Sequence, residues 1–135
     1  MASLIFDACA LIALSENEEG ADLLASFLAD RDSSCFVHAI NLSEVYYHAL
    51  RNTSRSEAVE LVEGYLELGI TLRDDMDVEM WQDAGELKAA HRKVSLADCF
   101  AIALANRLDA DLLTSDHHEL DALADLGVCK IRFFR

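Results

Sequence analysis

Asp7 is the one charge between Ala2 and Ser15, set between the apolar runs Leu4-Ile5-Phe6 and Ala8-Cys9-Ala10-Leu11-Ile12-Ala13-Leu14. A carboxylate drawn out of water in such company needs a cation, a metal or several hydrogen-bond donors. The expected answer is a divalent metal shared with acids from later in the chain. The plain alternative is a strand-ending aspartate that faces solvent. Three later acids stand in contexts that could bring them to Asp7: Glu44 in Asn41-Leu42-Ser43-Glu44, Asp98 in Ser95-Leu96-Ala97-Asp98, and Asp116 in Thr114-Ser115-Asp116.

With 25 acidic residues in 135, choosing four proves nothing by itself, and each has a structural explanation. Ser95 to Asp98 fits a capping box, and Asp116-His117-His118-Glu119 fits a cap with its reciprocal glutamate. Glu44 lies off the apolar stripe of its helix, where a glutamate ordinarily meets water. Against these stands position. Asp7 and Asp116 fall at the carboxyl ends of predicted strands, and Glu44 and Asp98 fall in early turns of helices that can enter from that side.

The elements that place them follow from hydrophobic period and punctuation. Strands are predicted at Ser3–Phe6, Ser34–His38, Ile70–Arg73, Asp111–Thr114 and Cys129–Phe133. Helices are predicted at Ala8–Ser15, Glu18–Arg31, Ala39–Asn52, Ser56–Leu68, Asp77–His91, Leu96–Leu108 and His117–Leu126. The Leu96 helix is apolar nearly all round, as a centrally buried helix would be. Strands separated by helices, with no proline and no hairpin signal, predict a three-layer α/β/α sandwich around a parallel sheet of about five strands. The ligand site of such a sheet lies beyond the carboxyl ends of the strands, where strand order reverses.

Composition narrows the classes. A chain of 135 residues is one domain's length, so residues 1–135 are expected to form a single domain with its own core. No run approaches the roughly 20 apolar residues of a membrane span, and the opening apolar segment has no basic leader, so a cytoplasmic protein without membrane attachment is expected. Cys9, Cys35, Cys99 and Cys129 are scattered inside apolar runs, as reduced core thiols would be. A net charge of −14 excludes a broad basic footprint for nucleic acid and favours a basic partner. One cationic cluster, Lys88, His91, Arg92 and Lys93, directly precedes the Asp98 helix, and Arg51 and Arg55 follow the Glu44 helix. By charge pattern alone these groups form a solvated face. His117 and His118 lack zinc-site spacing.

Taken in order, Leu4 to Leu14 around Asp7, Asn41-Leu42-Ser43-Glu44-Val45, Ser95-Leu96-Ala97-Asp98 with the apolar helix after it, and Leu113-Thr114-Ser115-Asp116-His117-His118-Glu119-Leu120 resemble the four acidic motifs of PIN domains. Within that group the chain is most similar to VapC-type toxin ribonucleases of toxin–antitoxin modules. The resemblance implies an acidic quartet of Asp7, Glu44, Asp98 and Asp116 with Thr114 in support. It implies Mg2+ or Mn2+ as cofactor, an RNA substrate, a small antitoxin partner and a homodimer. On this view Asp7, Asp98 and Asp116 are direct or water-mediated metal ligands, Glu44 orients or deprotonates the attacking water, and Arg92 and Lys93 are candidate RNA contacts. The departure is Cys9, where the family commonly carries a hydroxyl or amide residue, which puts one hydrogen bond around the metal in doubt.

Two other functions fit parts of the pattern. A PIN-like module weak in catalysis would explain Cys9. A receiver-like signalling domain would use Asp74 as phosphoacceptor, with Thr114 and Lys130 as its late-strand hydroxyl and lysine. The two helices predicted between the second and third strands count against the receiver.

Overall fold

The computed structural model describes residues 2–135. Strands β1 (Ala2–Phe6), β2 (Ser33–His38), β3 (Ile70–Arg73), β4 (Asp111–Thr114) and β5 (Ile131–Phe133) form one sheet in the order β3-β2-β1-β4-β5, every pairing parallel. Between them run α1 (Ala8–Ser15) and α2 (Ala21–Ala29), α3 (Ala39–Asn52) and α4 (Arg55–Glu67), α5 (Val78–Ala90) and α6 (Leu96–Leu108), and α7 (His117–Asp125). The three-layer α/β/α architecture with a parallel five-stranded sheet is as the sequence predicts.

Strand β1 is central, with Leu4 paired to Cys35 on one side and to Asp111 on the other. Its residues alternate between two cores. Ile5 packs with Met80, Phe100, Ile102, Leu104 and Leu112 beneath α5, α6 and α7. Leu4 and Phe6 pack with Leu11, Leu24, Val37, Val45 and Tyr65 beneath α1 to α4. Burial on both faces is why the strand reads as an unbroken apolar run. Helix α6 is buried from Cys99 through Ala105, as its all-round apolar pattern requires. No described helix is long and apolar enough to cross a membrane.

Two local expectations are corrected. Helix α2 starts at Ala21 rather than Glu18, because Gly20 adopts φ +90° and a Cβ there would lie 2.6 Å from the Phe134 carbonyl oxygen. Cys35, Cys99 and Cys129 are buried thiols, but Cys9 is exposed in the first turn of α1.

The receiver-like reading fails on topology. Doubly wound receivers place the third strand beside the first, whereas here β3 is the sheet edge and Asp74 follows it, with β2 and β1 separating it from Thr114 on β4. Lys130 binds Asp109 (2.6 Å), which precedes β4, at the opposite end of that strand from Thr114.

Candidate metal centre

Strand order reverses between β1 and β4, so the carboxyl ends of these strands are the expected site. Asp7 follows β1 and is 1% exposed. It caps α1, its Oδ1 accepting from the Ala10 backbone N–H at 2.8 Å. Burial first, and then the charges of Asp116 and Glu44, raise its carboxyl to about 6, although Thr114 and the Ala10 hydrogen bond pull the other way. The solvent-facing alternative for Asp7 is therefore excluded.

Thr114 ends β4 fully buried. Its hydroxyl accepts from the Asp116 backbone N–H (3.1 Å), and it stands near enough to Asp7 to pull that carboxyl downward. One residue thus neighbours both strand-end acids. Asp116 caps α7, its Oδ1 accepting from the Glu119 N–H at 3.1 Å. The reciprocal half of that capping box is absent, since the Asp116 N–H is taken by Thr114. The Glu119 carboxylate turns instead toward Asp98 and Asp116, so that one potential ligand atom from each of the three lies within 4.8 Å of the others.

Asp98 stands in the first turn of α6, where Ser95 Oγ accepts from its backbone N–H at 3.1 Å. Burial, followed by the charge of Asp7 and, more weakly, of Glu44 and Glu119, raises the Asp98 carboxyl to about 7. Glu44 on α3 is half-buried, and burial pushes its carboxyl upward. Cys9 lies within electrostatic reach of Asp7, Asp98, Asp116 and Glu44, and partial desolvation with those charges pushes its thiol to about 12. It is a protonated neighbour of the acids, with no nucleophilic character at neutral pH.

All four sequence-selected acids therefore converge at one end of the sheet. Two participants are not foreseen by the sequence pattern. Glu119 reads there as a capping residue, and its only signal is the second function that a reciprocal cap residue acquires when the cap is left open. Asn41 reads as a polar neighbour of Glu44, yet it is wholly buried. Arg51 and Arg55 lie near the far end of α3, about 10 Å along the helix axis beyond Glu44.

On one flank of the acids His91, Arg92, Lys93, Val94, His118, Glu119, Ala122 and Leu123 line a cavity of about 260 Å³. Lys88 shapes its rim by donating to the carbonyls of Arg92 and Val94 (2.7 and 2.8 Å). Arg92 and Lys93 are exposed, and among the described residues neither side chain is paired with a carboxylate. His117 is engaged elsewhere, stacked on Phe133 and bonded to Asp121 and the Arg135 carbonyl.

The donor set suits a hard divalent cation. Every ligand candidate is a carboxylate oxygen, and at Asp7 and Asp98 the charges of neighbouring acids add to burial in raising the carboxyls.

The family model for the PIN domain matches residues 4–126. No curated protein matches the sequence. Among solved structures the fold is similar to DNA-bound VapBC from Salmonella typhimurium (TM-score 0.74, 16% identity, 100% of each chain covered). It is also similar to promoter-bound VapBC2 from Rickettsia felis (0.75, 12%, 97% of this chain and 98% of that one). A third likeness is to VapC20 from Mycobacterium tuberculosis, described as a sarcin–ricin loop cleaving toxin (0.71, 15%, 88% and 94%).

Proposed function

Since the chain belongs to the PIN domain family and draws Asp98, Asp116 and Glu119 to within 4.8 Å of one another, we propose that it is a Mg2+- or Mn2+-dependent endoribonuclease, the toxin of a VapBC-type toxin–antitoxin pair. The convergence of carboxylates at the β1–β4 switch point carries this reading. Asp7, Asp98 and Asp116 would hold the ion directly or through water, with Glu119 as an additional ligand. When bound, such an ion supplies a water of lowered pKa and offsets charge on the phosphoryl oxygens. Thr114 keeps Asp7 and Asp116 in fixed relation. Glu44 orients the attacking water and accepts its proton; burial pushes its carboxyl upward, the direction that makes it a stronger base.

RNA reaches a protein of net charge −14 against long-range repulsion. The unpaired cations Arg92 and Lys93, with His91 and His118 behind them, offer local phosphate contacts beside the acids. The same net charge favours an antitoxin that presents basic groups to the acidic end of the sheet. A homodimer acting in the cytoplasm completes the proposal. Cys9 supports one second reading, a PIN-like binding module weak in catalysis, because its protonated thiol stands among the acids where a hydroxyl or amide would bond more strongly.

The test is cleavage of RNA with Mg2+ or Mn2+, with and without chelator. Metal-dependent cleavage that chelator abolishes is expected. Metal binding without cleavage would select the binding-module reading, and neither binding nor cleavage would remove the nuclease.

A further inference from the structure

Asn41 is wholly buried in the first turn of α3, one turn before Glu44. Its Nδ2 donates to the carbonyl of Ala97 at 3.3 Å, the residue immediately before Asp98 and 56 positions away in sequence. A carbonyl only accepts, so this bond fixes the amide with its nitrogen toward α6 and its oxygen away. That Oδ1 is the single buried side-chain oxygen or nitrogen without a hydrogen-bond partner among the described residues. A leucine, with the same branching and number of side-chain heavy atoms, would leave no orphaned acceptor, so the amide costs the fold stability.

What it supplies is a link between the two helices that carry acids. The start of α3 is already fixed by His38, whose Nδ1 accepts from the Ile40 N–H (3.1 Å) while Nε2 donates to the Asp75 carbonyl (2.9 Å). His38 ties α3 to the segment after β3. Asn41 is the side chain that ties it to α6, and it does so between Glu44 and Asp98. We propose that Asn41 is a positioning residue: its bond to Ala97 sets the separation of Glu44 from Asp98, at the expense of an unsatisfied buried carbonyl. The inference deepens, and rests on, the nuclease reading above.

The experiment compares wild type, Asn41→Leu and Asn41→Ala by thermal melting without metal, calorimetric titration with Mn2+, and steady-state RNA cleavage. Asn41→Leu is expected to melt at or above the wild-type temperature, while its Mn2+ affinity falls tenfold or more. Its kcat should drop with KM for RNA unchanged, since the cationic rim is untouched. Should Asn41→Leu fail to fold, Asn41→Ala, which removes the same amide and its bond to Ala97 without adding bulk, must show the same weakened Mn2+ binding and lowered kcat. Wild-type affinity and kcat in either folded variant would overturn the proposal, whatever the melting temperature. A wild-type protein that neither binds Mn2+ nor cleaves RNA would remove the parent reading and Asn41's role with it, an outcome separate from a variant that simply matches an active wild type.

Discussion

Two groups of aspartates in this molecule are displaced in opposite directions. At the β1–β4 end, Asp7 and Asp98 face burial and other acids, and their carboxyls rise to about 6 and about 7. Beside β3, Asp75 meets Arg73 Nε at 2.8 Å and Arg107 Nη1 at 2.9 Å, while Arg107 Nη2 reaches Asp77 at 2.9 Å. Those guanidiniums hold the Asp75 carboxyl well below the usual range. Asp77 also caps α5, so the second group pins the start of α5 to the end of α6. Where the chain supplies its own cations, the acids are structural. Where it gathers acids without such partners, burial and like charge raise the carboxyls instead, and the proposed cation would offset them.

The largest effect that would test this contrast is on activity. Asp98→Asn, nearly isosteric, should lower RNA cleavage by more than about 100-fold, beyond what loss of a group outside the ligand set costs. It should leave the far-UV spectrum unchanged and raise the metal-free melting temperature near pH 8, because it removes a buried like charge. A mutant as active as wild type would dissolve the metal centre.

Next in size is pH dependence without metal. An acid whose folded-state pKa is raised binds its proton more tightly in the folded protein, so stability falls as pH rises from about 4 through 7. The decrease should amount to about 3–7 kcal/mol across the pair. Saturating Mg2+ should flatten it, and denaturant melts at pH 5 and pH 8 with and without the ion read both. A metal-free protein that is more stable at pH 8 would reverse the assignment.

Asp75 should behave in the opposite sense. Its lowered folded-state pKa contributes stability that is complete above the unfolded value of 3.8 and is lost as pH falls below it. Asp75→Asn should cost about 1–3 kcal/mol at pH 7, progressively less as pH falls below about 4, and nothing in Mn2+ affinity.

The smallest effect concerns the rim. Arg92→Ala with Lys93→Ala should leave stability within about 0.5 kcal/mol and raise KM for RNA. On single-stranded RNA the log–log salt slope of binding should become shallower by about 0.7 for each phosphate that the variant no longer neutralises. An unchanged slope would assign these residues to a solvated face.

The extent of foresight differs between elements for a physical reason. Helices α3 and α6 and strands β3 and β4 match the sequence reading residue for residue, because a two-sided buried sheet and an all-apolar helix write their burial into hydrophobic period. The wholly buried Asp7 can be anticipated, since a lone carboxylate in an apolar run has few ways to be solvated. Glu119 and Asn41 cannot. One looks like a cap whose closing bond Thr114 takes instead, and the other joins residues 56 apart in sequence.

By itself the sequence determined the order of elements, the parallel sheet, and the four acids that its motifs mark, all of them consequences of local pattern. Only the tertiary structure decided which carboxylates come within 4.8 Å, that Glu119 is among them, that Cys9 is exposed beside them, and that Asn41 bridges α3 to α6. Those facts depend on strand order and on how α3, α6 and α7 are set over the sheet edge, which no stretch of the chain encodes alone.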